Sequence, residues 1–276
     1  MVIPYDKYHA ESMAAKDVDP SVICLKYLAE RFELNTEQRY WIAFLYGTCY
    51  CAPTTFYIYN EFPDFEGVDV TRLSKWWDAN KDKLIFQTDR QRIKSNNQFV
   101  DSFKSYKALV GRGTQQGYFQ CDDWTQVYKK IEAIKYFGRF ALFNYLDVLN
   151  QITDIRHKPP YLNMVEAESC RKGLAYAIGR DDLVEAPLSK ATATLLHKEF
   201  VQLLASGIGN VFQIETTLCA YKKYRRGKRY IGFYIDRMGK EIEKISALVN
   251  KGVCWEVLWQ FRNETFEHKY LYEKRK

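Results

Sequence analysis

Apolar residues recur at helical spacing along most of this 276-residue chain, and convincing strand alternation is scarce. Asn35 and Gln38 form a capping-box pattern ahead of residues 41–46, which are almost wholly apolar. A helix that is apolar on most sides is buried. Gly47 extends that run, which predicts a close backbone approach to another helix or to a ligand. The sequence therefore predicts a mostly α fold of roughly ten helices or more, because helix spacing dominates and helices have a typical length.

The chain is long enough to bury a sizeable core as one domain. We expect a single compact, multi-helix domain over residues 1–276, with possible lobes at 1–120 and 121–276. A helix is predicted over residues 164–178. Two further helices are predicted over residues 187–204 and 211–224, separated by a glycine-containing break.

Composition narrows the class of protein. The net charge of +7 and the 16% content of aromatic residues are compatible with a polyanion partner whose bases stack on flat rings. The 7 cysteines are scattered and odd in number, without a leading signal peptide, so we expect reduced thiols in a cytoplasm. No apolar run approaches the ~20 residues of a membrane span, so no membrane partner is expected.

Arginines stand among apolar residues between positions 135 and 182. Arg139 lies among phenylalanines, Arg171 follows Glu168 by about one helical turn, and Arg180 comes just after a glycine. Burying such side chains costs free energy unless an anion meets them. The sequence predicts that this block holds an anion, most plainly a phosphate. The alternative is that each arginine pairs with a nearby carboxylate.

The densest basic run covers residues 222–229, where lysines, arginines and a tyrosine alternate. This pattern suits a phosphate backbone with stacked bases, although a solvated charged face is the usual alternative. The predicted DNA contacts are Arg225, Arg226, Lys228, Arg229, Arg90, Arg92, Lys94 and Arg112.

Several catalytic patterns are absent from the sequence. There is no phosphate-binding P-loop, no zinc-protease helix motif, no hydrolase nucleophile elbow and no dinucleotide fingerprint after a strand. Cys49 and Cys51 have no second pair of ligands at metal spacing, so no metal site is predicted.

Four segments resemble a known family, at residues 41–53, 136–140, 169–182 and 218–237. The family is the α-glutamyl/putrescinyl thymine pyrophosphorylases, also called amino acid:DNA transferases, of phages that hypermodify thymine. The resemblance implies a helical fold distantly similar to helix-hairpin-helix DNA glycosylases. It also implies a host-cell cytoplasm and a reaction in which an amine displaces pyrophosphate from a 5-pyrophosphoryloxymethyluracil in DNA.

That chemistry implies partners and residue roles. The partners are double-stranded DNA carrying the modified uracil and a free amine such as glycine, glutamate or putrescine. No cofactor is certain, and Mg²⁺ is possible with pyrophosphate. A flipped base would stack on an aromatic ring, and charge on the leaving group would meet cations. The expected pyrophosphate ligands are Arg139, Arg171, Arg180, Lys222 and Lys223. The expected base contacts are Tyr46, Tyr50 and Tyr234. Asp181 and Asp236 are expected to hold the amine.

Two other functions remain open at this point. A helix-hairpin-helix-like glycosylase would need a catalytic Asp with a Lys, for which Lys222 and Asp236 are available, and it would release free base. A non-catalytic DNA- or RNA-binding protein would use residues 222–229, bind in a salt-dependent way and show no turnover.

Overall fold

A computed structural model describes residues 2–121, 123–249 and 252–271. Within these ranges the chain forms fifteen α-helices, four short 3-10 helices and no strand. The prediction of a mostly α fold is confirmed, and the likeness to helix-hairpin-helix glycosylases stays a prediction. The α-helices are α1 Tyr5–Ala14, α2 Pro20–Arg31, α3 Thr36–Cys49, α4 Ala52–Glu61, α5 Val70–Asn80, α6 Gln91–Ser95, α7 Phe99–Val110, α8 Gln115–Phe119, α9 Trp124–Glu132, α10 Arg139–Ile152, α11 Glu168–Ala177, α12 Lys190–Ala205, α13 Val211–Arg225, α14 Phe233–Leu248 and α15 Glu256–Thr265. The 3-10 helices are Lys81–Lys83, Thr88–Arg90, Asp181–Leu183 and His268–Tyr270.

The chain divides into two compact units. The first unit comprises Met1–Pro20, Pro159–Arg237 and Asn263–Lys276, and the second comprises Ser21–Lys158 and Met238–Arg262. Both units draw on both halves of the chain. A single DNA-modifying domain with possible lobes 1–120 and 121–276 stays a prediction. No helix in the part of the chain described is both long and apolar enough to cross a bilayer.

The second unit has an aromatic core around α3. Asn35 caps this helix in the predicted capping box, in which its side chain accepts the Gln38 N–H and the Gln38 side chain accepts the Asn35 N–H. A Cβ atom placed on Gly47 would lie 2.9 Å from the Cβ of Tyr145, so α3 meets α10 closely at this glycine. The predicted close approach is therefore confirmed, and the neighbour is a helix.

The first unit is built on the pair α11 and α13, which pack against each other. A Cβ atom on Gly173 would lie 2.0 Å from the carbonyl oxygen of Leu218, so only glycine allows these two backbones to come this close. The break predicted between residues 204 and 211 is present, and α13 begins after it with a second capping box, formed by Asn210 and Gln213.

One predicted helix is shorter than expected. The sequence predicts a helix over residues 164–178, but α11 begins at Glu168. Arg171 explains the difference, because its Nη1 donates to the carbonyl oxygens of Met164 and Val165 at 2.8 and 2.9 Å. Carbonyls engaged in this way belong to a turn that precedes the helix.

Candidate functional site

The first turn of α14 presents an aromatic ring with two arginines over it. The guanidinium carbons of Arg229 and Arg237 lie 4.4 and 4.9 Å from the ring centre of Tyr234. Arg229 also lies 4.8 Å from the ring centre of Phe233 and donates a hydrogen bond to the Tyr234 hydroxyl. Arginine stacks on aromatic faces in this way, and its edges stay available for hydrogen bonds to an anion.

Two lysines near the C-terminus of α13 add to this charge. Burial lowers the pKa of Lys223, and the positive charges of Arg229, Lys222 and Arg237 lower it further. Burial also lowers the pKa of Lys222. Lys223 therefore lies close to the other three positive charges. We call Lys222, Lys223, Arg229 and Arg237 the cation cluster.

Three members of the cation cluster have no carboxylate within 4 Å among the residues that the structure describes, namely Lys222, Lys223 and Arg229. The Nε atom of Arg229 is buried and has no hydrogen-bond partner in the same part of the chain. Leaving a buried donor unsatisfied is costly, and so is holding like charges together. A bound anion would remove both costs.

A carboxylate lies on the same helix turn. Asp236 is only 3% exposed, and it accepts a hydrogen bond of 2.6 Å from the hydroxyl of Tyr230. Of the predicted site residues, Lys222, Lys223, Tyr234 and Asp236 are thus found in the first unit. We call the ring of Tyr234, with its two arginines, the aromatic platform. A buried carboxylate close to cations and an aromatic ring is a combination found at many functional sites.

Other arginines of the first unit are already paired with carboxylates. Arg180 pairs with Asp182 at 2.6 Å, Arg225 pairs with Asp181 at 2.9 Å, and Arg226 pairs with Glu185. Arg171 is occupied by two backbone carbonyls, as described above. Within residues 135–182, the alternative in which an arginine pairs with a nearby carboxylate describes Arg180. Arg225 and Arg226, in the basic run, are paired in the same way. Asp181, predicted to hold the amine, is engaged with Arg225.

Three predicted site residues of the second unit lie at the end of α3 or the start of α10, namely Tyr46, Tyr50 and Arg139. Tyr50 ends α3 in a left-handed conformation, with φ of 52°. Its ring lies 5.5 Å from that of Tyr46 and 5.3 Å from that of Phe140. Arg139 is the first residue of α10 and lies 6.0 Å from the ring centre of Phe143. Tyr46 is fully buried, so it supports Tyr50 within the core.

The basic residues predicted to contact DNA in the second unit differ in exposure. Arg90 is 0% exposed and donates to Asp89 and to the carbonyl oxygen of Tyr136, so in this structure it holds the local fold. Lys94 donates to the Leu84 carbonyl oxygen at 2.8 Å and lines a cavity of about 450 Å³. The remaining two, Arg92 and Arg112, are exposed.

Sequence reasoning assigned no site role to Arg237, and it placed Arg229 among the DNA contacts. A signal for Arg237 exists, because it follows Tyr234 by three residues and side chains at that spacing lie on one face of a helix. No local signal marks Arg229 as different from Arg225 or Arg226, since all three stand in one basic run.

Sequence comparisons relate this chain to known proteins. The sequence profile of the amino acid:DNA transferase family matches residues 15–230. A serinyltransferase of Salmonella phage ViI is 26% identical, in an alignment that covers 86% of this chain and 66% of the relative. The chain thus spans about two thirds of that relative's length. Because the family profile covers most of the sequence, this chain belongs to the amino acid:DNA transferase family.

Proposed function

We propose that this protein is an enzyme that transfers an amine onto a modified uracil of phage DNA. In this reaction the amine nitrogen attacks the 5-methylene carbon of a 5-pyrophosphoryloxymethyluracil. The new C–N bond forms as the bond from carbon to the bridging oxygen breaks, and pyrophosphate leaves with the electron pair. The observation that carries this proposal is the cation cluster, which leaves Lys222, Lys223 and Arg229 open to an anion in a member of this family.

The cation cluster suits a pyrophosphate leaving group. Negative charge grows on the bridging oxygen as the bond breaks, and cations that are already in position stabilise that charge without reorganising. Arg229 is held over two aromatic rings and by the Tyr234 hydroxyl, so its guanidinium is pre-organised. Lys222 and Lys223 supply point charges beside it.

The amine must lose a proton to attack. Asp236 is a carboxylate in the first turn of α14, adjacent in sequence to Arg237, and we assign it to orient the ammonium and to accept its proton. Tyr230 donates to Oδ2 of Asp236 at 2.6 Å and holds this carboxylate in place. The target nucleotide is proposed to flip out of the duplex, since the uracil 5-position can be enclosed only outside the base stack.

The identity of the amine is a separate part of the proposal. The phage relative is named a serinyltransferase, so serine joins glycine, glutamate and putrescine as a candidate.

Among the described residues no group of three or more His, Cys, Asp or Glu side chains could hold a metal ion. Mg²⁺ is proposed to accompany the substrate, because phosphate oxygens are ligands that this ion prefers.

The test incubates the protein with DNA that contains 5-pyrophosphoryloxymethyluracil and each of the four amines in turn. Mass spectrometry of the digested nucleosides should show one aminomethyl derivative, with release of pyrophosphate. Free base in place of this product would support a glycosylase, and salt-dependent DNA binding without product from any amine would support a binding protein. Either result would overturn the proposal.

Arg139, in the second unit, is tested separately as the pyrophosphate ligand that the family resemblance implies. If that role is right, Arg139→Ala should lower the single-turnover rate by about 10²–10³, which is the effect of removing one pre-organised donor. Arg171→Ala should instead lower stability, since its guanidinium is used by the Met164 and Val165 carbonyls. A well-folded Arg139→Ala variant with the wild-type rate would remove that residue from the site.

A further inference from the structure

The start of α14 is held by a carboxylate from far away in the sequence. Asp17 is 2% exposed and accepts three backbone N–H groups at the beginning of α14. Its Oδ2 accepts from Gly232 at 2.8 Å, and its Oδ1 accepts from Tyr234 and Ile235 at 2.8 and 3.1 Å. The first N–H groups of a helix have no partner within the helix. Asp17 caps α14 in place of a neighbouring residue, although it lies 215 or more residues away in the sequence.

The local sequence explains why Asp17 can reach this position. Helix α1 ends in a Schellman motif, in which Lys16 N–H bonds to the Met13 carbonyl and Asp17 N–H bonds to the Ser12 carbonyl. Lys16 adopts the left-handed conformation that this motif needs, with φ of 57°. This turn fixes the backbone of Asp17. On the other side Gly232 has φ of 98°, a conformation that other residues rarely adopt.

The three N–H groups bound by Asp17 belong to the segment that carries the aromatic platform. Tyr234 supplies one of these N–H groups, and its ring lies under Arg229 and Arg237. A change in the angle at which α14 begins would therefore move the ring and the arginine that bonds to its hydroxyl. We propose that Asp17 is the positioning residue of the anion site, and that it fixes the Tyr234 platform on which Arg229 meets pyrophosphate. This inference rests on the proposed function.

Burial and neighbouring charges both change the pKa of the Asp17 carboxyl group. Burial raises the pKa of Asp17 to about 6, while the three N–H groups and the charge of Arg229 lower it. The other titratable groups that interact with Asp17 are the phenols of Tyr8 and Tyr234. A buried carboxylate is an expensive cap, and exposed side chains cap other helices of this protein, as Asp69 does for α5.

The experiment measures binding of inorganic pyrophosphate by calorimetry. Asp17→Asn replaces one acceptor oxygen by an NH₂ group that faces an N–H donor, and it should weaken binding by about tenfold, the effect of losing roughly one charge-assisted hydrogen bond. Asp69→Asn alters a helix cap in the second unit and should leave binding unchanged. Circular dichroism confirms that each variant is folded.

A double-mutant cycle separates positioning from a general loss of stability. In the Arg229→Ala background, adding Asp17→Asn should change the dissociation constant by less than about twofold, because the arginine that it positions is already gone. Independent, multiplying effects would overturn the inference. If Asp17→Asn does not fold, Gly232→Ala disturbs the same turn from the other side and should weaken pyrophosphate binding as well.

The outcomes distinguish this inference from the function on which it rests. If the wild type binds pyrophosphate and Asp17→Asn or Gly232→Ala binds it equally well, the positioning role is wrong and the transferase proposal stands. If the wild type does not bind pyrophosphate, the anion site itself is wrong, and the positioning role falls with it.

Discussion

Each unit contains a pair of helices that meet at a glycine, yet the two pairs carry different side chains. In the second unit α3 and α10 meet at Gly47, and aromatic rings surround the contact, such as Phe44 stacked on Phe137 at 5.6 Å. In the first unit α11 and α13 meet at Gly173, and α13 ends in the basic run. Close packing alone thus does not set the chemistry of a unit, and the residues at the helix ends do.

Arginines show the same difference between the units. In the second unit Arg39 donates to three backbone carbonyls, those of Leu34, Ile152 and Ala29. Its charge is used within the fold. In the first unit Arg229 donates to a tyrosine hydroxyl, and its Nε is without a partner in the described chain. The comparison indicates that arginines of the first type stabilise the fold, whereas arginines of the second type are available to a ligand.

Of the arginines compared here, Arg229 is expected to affect the reaction rate most. Arg229→Ala should lower the single-turnover rate by about 10²–10³, since it removes a pre-organised donor to the leaving group. Arg39→Ala is the matched control, and it should cost about 2–3 kcal/mol of stability because three carbonyls lose their donor. Rates normalised to folded protein and urea unfolding measure the two effects. Equal rates for both variants would contradict the assignment of Arg229.

The second prediction compares the two glycines. Gly173→Ala should destabilise the protein by about 3 kcal/mol or more, because the added carbon would lie 2.0 Å from a backbone oxygen and backbones shift with difficulty. Gly47→Ala should cost less, about 1–3 kcal/mol, since its added carbon meets the Tyr145 Cβ at 2.9 Å. Denaturant unfolding measures both. A smaller loss for Gly173→Ala than for Gly47→Ala would reverse the expected order.

The stability of the protein should depend on pH through Asp17, in the first unit. The pKa of Asp17 is raised from about 3.8 to about 6 in the folded protein, so the folded state binds its proton more tightly than the unfolded state does. Its contribution to stability is therefore greatest at low pH and falls as the pH rises between these two values, by up to about 1.4 kcal/mol per pH unit. Well above pH 6 the contribution is constant, because the carboxyl group is then ionised in both states.

Asp17→Asn lacks this titration, so the stability difference between wild type and variant should shift in favour of the variant from pH 4 to pH 6. Urea unfolding of both proteins at each pH measures the difference, and the groups that they share cancel. A difference that does not change with pH would show that Asp17 has the same pKa in both states.

The smallest expected effect is on DNA binding. Lys228 is exposed and has no ion pair in the described chain, whereas Arg225 pairs with Asp181. Lys228→Gln should therefore reduce the slope of log binding constant against log salt by about 0.9, the value for one phosphate contact. Arg225→Gln should reduce it by less. A larger change for Arg225→Gln would show that its carboxylate partner gives way to DNA.

Much of the local structure could be predicted from the sequence. The capping box at Asn35, the helix break before α13 and the close approach at Gly47 all depend on residues within a few positions or on a residue type that permits only one geometry. The basic run at residues 222–229 was also visible in the sequence. The early start predicted for α11 was wrong because a side chain seven residues away, Arg171, engages the Met164 carbonyl in a turn.

The helical fold of this chain and the concentration of positive charge near residues 222–229 follow from the sequence alone. Which of those charges remain open to a ligand depends on the tertiary fold. Arg225 and Arg226 meet carboxylates from the segment around residues 181–185, whereas Arg229 lies on the α14 platform that Asp17 holds. Helix formation depends on hydrogen bonds four residues apart, so periodicity reveals it. The ion pairs of Arg225 and Arg226 span 44 and 41 residues, and the Asp17 cap on α14 spans 215. No local pattern encodes contacts this far apart in the sequence.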